Sequence, residues 1–111
     1  MSAKGHTITL EEGTEHVRFT TPAGQVLADS RRPVLLRETG FPVRYYLPPE
    51  DVRTDLLTLS ETRTHCPFKG DASYWSVTDG GPRDVAWSYP EPYDLVAGVE
   101  GHLCFADPEV E

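Results

Sequence analysis

The stretch Ala72-Ser73-Tyr74-Trp75-Ser76-Val77-Thr78, followed by Asp79-Gly80-Gly81 and then by Asp84-Val85-Ala86-Trp87-Ser88-Tyr89, decides the reading of the fold. Two runs rich in aromatic and β-branched residues flank a glycine-rich turn, the pattern of an antiparallel hairpin. Alternation at period two sends Tyr74 and Trp75 to opposite faces, so any one pocket holds at most one of them.

Upstream, similar runs recur between turn residues. Thr7-Ile8-Thr9-Leu10 alternates, and Glu15-His16-Val17-Arg18-Phe19-Thr20 places Val17 and Phe19 on one face. Pro22-Ala23-Gly24 turns the chain into Gln25-Val26-Leu27-Ala28-Asp29, a second hairpin. Pro33 to Glu38 and Val43 to Leu47 read as further strands, the latter stopped by Pro48-Pro49. Pro49-Glu50-Asp51-Val52-Arg53 opens a helix of one or two turns, with Val52, Leu56, Leu57 and Leu59 along one side. Downstream, Tyr93 to Ala97 reads as a helical turn, and His102 to Ala106 as the strand that closes the sheet. The expected fold is mainly β: a compact antiparallel β sandwich or β-tent-like fold with one or two short helical turns. At 111 residues, it is expected to be one domain, 1–111.

Composition narrows the function classes. Ten basic residues against eighteen acids give a net charge of −8, which argues against a nucleic-acid partner because phosphate binding needs a basic surface. No apolar run approaches membrane-spanning length, and Met1-Ser2-Ala3-Lys4-Gly5-His6 lacks a hydrophobic secretory core. Two cysteines cannot build a disulfide framework, so the cytoplasm is the expected compartment and a Cys66–Cys104 bridge is disfavoured. The surplus acid lies after Arg83, where seven acids meet no Lys or Arg. Arg31 to Arg53 instead holds five arginines against three acids, the one stretch that would welcome a small anionic ligand.

Chemistry concentrates in Thr64-His65-Cys66-Pro67-Phe68-Lys69-Gly70, just before the Tyr74-Trp75 strand. A thiol becomes useful where it is partly exposed and near positive charge, and Lys69 follows Cys66 in what reads as a tight, proline-stiffened loop. The competing reading is a structural, buried cysteine. His65, Cys66, His102 and Cys104 are metal-ligand types, but structural zinc sites use cysteine pairs two to four residues apart, and adjacent residues on an extended chain point apart. No metal and no cofactor are therefore expected; Cys104 reads as core, and the histidines as polar surface. Tyr45, Tyr46, Tyr74, Trp75, Trp87 and Tyr89 divide between core and cleft by alternation. Glu38, Glu50 and Asp51 are carboxylates available for acid–base work, though isolated carboxylates are ordinarily solvated. No Ser-His-Asp arrangement, phosphate loop or HExxH motif is present.

Several of these segments together carry a resemblance. Val43-Arg44-Tyr45-Tyr46-Leu47-Pro48-Pro49-Glu50-Asp51-Val52, the Cys66-Pro67-Phe68-Lys69-Gly70 motif, Ala72 to Val77 and Ala86-Trp87-Ser88-Tyr89-Pro90 resemble the domain-of-unknown-function 427 family. Val26 to Ser30 and Leu36-Arg37-Glu38 extend the resemblance over nearly the whole chain. It implies packed antiparallel sheets of the β-tent or zinc-ribbon-derived kind, without the zinc knuckles. Its motif falls on Cys66, Pro67, Lys69 and Gly70, with Tyr46, Asp51, Tyr74 and Trp75 beside them. A nucleotidyltransferase label attached to the family finds no acid pair or phosphate loop in this chain.

Two classes of function stand side by side. One is a small-molecule-binding domain or enzyme without an assigned reaction. In it Cys66 is nucleophile or polar anchor, Lys69 depresses its pKa or holds an anion, Arg53 orients that anion, and Tyr74, Tyr46 and Asp51 border the pocket. The other is a non-catalytic structural or interaction module, such as a homodimer, covering its own strand edges.

Overall fold

The computed structural model describes residues 5–111. Residues 1–4, part of the segment read above for a leader, lie outside it. Among the described residues ten strands form two antiparallel sheets: β1 (Ile8–Glu12), β2 (Val17–Thr20), β3 (Val26–Ser30), β4 (Val34–Glu38), β5 (Arg44–Leu47), β6 (Leu57–Cys66), β7 (Gly70–Val77), β8 (Ala86–Ser88), β9 (Leu103–Phe105) and β10 (Glu109–Val110). The large sheet runs β1-β4-β5-β9-β8-β7-β6, and the small one β10-β2-β3. Both hairpins read from the sequence are present, β2 with β3 and β7 with β8.

The segment after Pro48 holds the expected short helical turns, but Leu57 and Leu59, read as part of their apolar side, belong to the next strand. Pro49–Asp51 and Thr54–Leu56 are separate single 3₁₀ turns, and Leu57 already begins β6. β6 is ten residues long and lies at the sheet edge, where only one neighbour pairs with it. Thr58, Thr62 and Thr64 suit that pleated surface, and their weak helix preference works against continuing the turn. The His102–Ala106 segment also differs in place. β9 does not close an edge but sits mid-sheet, pairing Leu103 with both Leu47 and Ser88, and so joins the sheet's two halves.

Alternation gives the large sheet two buried faces. Leu47, Ala86, Leu103 and Phe105 pack with Val17 and Leu27 of the small sheet, joined by the partly buried Tyr45 and Trp75. Their neighbours Tyr46 and Cys104, with Trp87 and Tyr74, face the other way, into a second core with Ile8, Leu36, Ala72 and Tyr89. The kinked 3₁₀ segment Asp94–Val99 covers part of this second core through Val96 and Val99. A sheet buried on both sides accounts for the near-continuous apolar reading of β5 and β9.

The second face is concave. Three strands separate β4 from β7 in the sheet order, about 19 Å in a flat sheet at ~4.8 Å per strand. Yet Lys69, at the β6–β7 tip, lies 2.6 Å from Glu38 of β4. The Lys and Glu side chains together do not span the flat distance. The sheet therefore curls, and the hairpin tip leans across its inner face.

Candidate functional site

The concave face leaves a cleft of about 510 Å³ under the β6–β7 tip, lined among others by Cys66, Lys69, Tyr46 and Tyr74. The strand pleat explains why these residues meet. Tyr46 and Trp87 both stand opposite Cys104, and Tyr74 stands opposite Trp87, so the three rings form a row across β5, β8 and β7. Cys66 ends β6 opposite Gly70, whose φ of +116° is open to glycine and strained for other residues. The tip is tied down by the Lys69 amide donating to the Cys66 carbonyl (3.2 Å) and the Tyr93 amide to the Lys69 carbonyl (3.0 Å). What the sequence suggested as a loop is thus mostly strand, with only Pro67–Lys69 turning.

A charge network crosses the cleft. Lys69 Nζ donates to Glu38 Oε1 at 2.6 Å, with side chains only 13% and 7% exposed. Glu38 Oε2 also lies 3.0 Å from His6 Nε2, and the His6 ring stacks on Phe68 at 4.3 Å. Glu38 is therefore not a solvated carboxylate but the centre of a buried network, where desolvated charges persist because they are paired. This also changes the part expected of Lys69: its ammonium is engaged by Glu38, and no hydrogen bond joins it to the Cys66 thiol.

Aromatic residues supply the floor. Trp87 Nε1 donates to the Tyr46 hydroxyl at 3.1 Å, and the Tyr74 hydroxyl shares a 3.0 Å hydrogen bond with Thr64 Oγ1. Arg44 stacks over the Trp87 ring, its Cζ 5.2 Å from the centroid, and Phe41 stands 61% exposed at the rim. Burial pushes both the Tyr46 and Tyr89 phenols well above their ordinary value, with nearby acidic groups adding to the shift. Cys104, behind the row, is fully buried and its thiol is pushed up to about 12 by desolvation. Cys66 is half-buried at the cleft wall, and both thiols are free.

Asp51 and Arg53 are not part of this site. The 3₁₀ turn after Pro48 swings them to the other layer, beside β3, where Ala28 bridges to Val52. Asp51 accepts from Ser30 Oγ (2.8 Å) and from Arg32 Nη2 (3.1 Å), and Arg32 holds its carboxyl below the ordinary value. Arg53 forms a two-pronged pair with Asp55 (3.0 and 2.8 Å). Arg37 likewise meets Glu11. Of the arginines between Arg31 and Arg53, it is Arg44 that reaches the cleft, and no carboxylate pairs with it among the described residues.

Glu38, Trp87 and Tyr89 stand in the sequence among the carboxylates and the core-or-cleft aromatics, and Arg44 among the five arginines of 31–53, without being assigned to the Cys66–Lys69 site; the structure brings all four to it. Alternation carries them: Glu38 shares a face with Leu36, Arg44 with Tyr46, and Tyr89 with Trp87. A larger open groove of about 670 Å³ runs outside β6 and β7, past Arg63, His65 and Tyr93. There His65 pairs with Asp71 at 2.7 Å on exposed ground, and no buried network backs it. Among the described residues no group of three His, Cys, Asp or Glu is arranged to hold a metal ion, and no helix is long and apolar enough to cross a membrane.

The model of a family described as a domain of unknown function, DUF427, matches residues 9–111. No curated protein matches the chain significantly.

Proposed function

The chain belongs to the DUF427 family, whose description assigns no activity, and from the geometry of the concave face we propose that it binds a small planar organic anion in the cleft under the β6–β7 tip. One observation carries the reading. Arg44, a cation without a carboxylate partner among the described residues, sits over the Trp87 ring, its Cζ 5.2 Å from the centroid, in the lining of an aromatic-walled cleft of about 510 Å³. Small-molecule sites are typically concave, mostly apolar, and supplied with a few fixed polar groups. Arg44 Nη1 makes one long hydrogen bond, 3.5 Å, to the Ala106 carbonyl, and the remaining donors of the guanidinium are open to a carboxylate or phosphate. Lys69 and Glu38 cancel one another's charge, so they shape the cleft and leave the anion to Arg44. The net charge of −8 favours a single small anion over a polyanion. Cys66 contributes a polar wall, and no reaction is assigned to it.

Benzoate is a sufficient probe. Titrated into isotope-labelled protein, it is expected to shift the Trp87 indole resonance, with neutral benzamide binding several-fold more weakly. Arg44→Gln is expected to remove that difference. If saturating benzoate leaves the Trp87 indole and the resonances of residues 66–70 unmoved, the reading fails.

A further inference from the structure

Among the Phe, Tyr and Trp rings that line the cleft, all but one are committed to contacts within the protein. Tyr46 and Tyr89 are buried. Trp87 lies beneath the Arg44 guanidinium, and the half-buried Tyr74 is tilted against its ring, the centroids 6.3 Å apart. Phe41 differs. It is 61% exposed and belongs to neither apolar core, so its ring adds little to the packing of the fold and presents an open face at the rim. Covering such a face with a second ring is favourable beyond the area removed from water.

The turn between β4 and β5 holds this ring in place. The Phe41 amide donates to the Glu38 carbonyl at 3.0 Å, and Gly40 takes a φ of +82°, open to glycine and strained for other residues. Pro42 then limits the conformations open to the Phe41 backbone. The Glu38 side chain accepts from Lys69, so the turn that carries Phe41 and the hairpin tip beside Cys66 are anchored to one residue, and both border the cleft. Arg44 follows Phe41 by three residues, a backbone separation of at most ~10 Å. A one-ring acid can therefore place its carboxylate on the guanidinium and its ring on Phe41.

We infer that Phe41 is the specificity-determining residue of the cleft, stacking on the ring of the bound anion and selecting aromatic over saturated carboxylic acids; this rests on the binding reading above. Charge does not make that choice, since both kinds of acid offer the same carboxylate to Arg44. Burial does not make it either, because a saturated ring carries more apolar surface and would be preferred on area alone. What separates the two is the π-face that an aromatic ligand turns toward the open ring of Phe41.

The test compares benzoate with cyclohexanecarboxylate, which has the same charge and the same carbon skeleton without the aromatic ring. Wild-type protein is expected to bind benzoate about three- to tenfold more tightly. Phe41→Leu, which keeps an apolar side chain and lacks the ring, is expected to erase that preference. It is expected to leave the cyclohexanecarboxylate affinity and the urea midpoint unchanged, because the side chain is exposed. Tyr93→Leu, at another exposed aromatic that lines the outer groove instead, is expected to keep the preference. Equal binding of both acids by the wild type, a benzoate preference that survives Phe41→Leu, or one lost equally in Tyr93→Leu overturns the role of Phe41 while the cleft still binds carboxylic acids. Failure of both acids to shift the Trp87 indole overturns the cleft reading itself.

Discussion

At the scale of single residues, the Lys69–Glu38 pair is the feature with the largest energetic leverage. Both side chains are almost completely buried and 2.6 Å apart. Removing one partner strands the other charge in a poorly solvated site, which typically costs about 3 kcal/mol or more. Lys69→Met is therefore expected to lower stability by roughly that amount in urea denaturation, though His6 remains near Glu38 to soften the loss. The double variant Lys69→Met/Glu38→Leu is expected to recover most of it, because two apolar side chains leave no charge unpaired. A single variant as stable as the wild type would show that the network is solvated after all. The two thiols give a second contrast. Cys104 is completely buried from solvent and reagent and its thiol is pushed up to about 12, whereas Cys66 stands half-buried in the cleft wall. Iodoacetamide is expected to modify Cys66 alone in the native protein, with Cys104 labelled only after denaturation, as read by peptide mass mapping. Reversal of that order would place Cys66 in the core. Legibility at this scale followed contact type. Cys66, Lys69, Tyr46 and Tyr74 emerge from the motif and from alternation; Glu38 emerges only as one of three candidate carboxylates, and its place at the centre of the site does not, because nothing local marks a carboxylate whose partner comes from a hairpin 31 residues away. Asp51 and Arg53 mislead for the converse reason: they are close in sequence to Tyr46, and one 3₁₀ turn carries them to the other layer.

At the scale of elements, the β6–β7 hairpin sets the cleft's roof, and its hinge is Gly70. Its φ of +116° lies where L side chains are strained, and an added Cβ would come within 3.3 Å of the Glu91 carbonyl oxygen. Gly70→Ala is expected to cost at least ~1 kcal/mol and to displace the tip, weakening benzoate binding along with stability. Unchanged stability in urea denaturation would mean that the tip relaxes freely. The hairpins themselves were legible because turn chemistry and alternation agree locally at Asp79-Gly80 and at Pro22-Ala23-Gly24. β6 was not, since a polar edge strand shows no apolar alternation, and Leu57 and Leu59 fit a short helix as well as a strand. Its irregular register between Leu59 and Arg63 is held by a long-range contact that the local sequence does not announce. Asp84, at a φ of 49°, accepts from Ser60 Oγ (2.6 Å) and Thr62 Oγ1 (2.7 Å), while its amide donates to Ser76 (2.9 Å).

At the scale of the whole molecule, the position of β9 and the curl of the sheet depend on long-range contacts, Tyr46 with Cys104 across β5 and β9 and Lys69 with Glu38 across the inner face, and it is these that make a cleft out of strands. Carboxylates fasten the assembly at separate places. Asp84 clamps the β6 edge to β7, and Asp51 joins the end of β3 to the turn after β5. Hydrogen bonds from Ser60 and Thr62 lower the Asp84 pKa, with Arg83 nearby adding to the effect, and the bond from Arg32 lowers that of Asp51. A carboxyl whose folded pKa lies below its unfolded value stabilises the fold fully above the unfolded value and loses that contribution as pH falls through the folded one. Starting from the ordinary aspartate value of 3.8, stability is therefore expected to hold between pH 7 and pH 5 and to fall below about pH 4. The net charge of −8 works in the opposite sense in the upper part of this range, because early protonation relieves repulsion among the acids. The two effects separate in Asp84→Asn. That variant keeps most of the side chain's shape but lacks the titrating clamp, so it is expected to be less stable than wild type at pH 7. The difference should narrow progressively toward pH 2.5, since the wild-type contribution is lost as pH falls below the ordinary aspartate value of 3.8 toward the lowered folded one. Urea midpoints measured across that range decide the matter, and a wild-type advantage that stays constant down to pH 2.5 would mean that the hydroxyl contacts at Asp84 hold the edge strand without its charge.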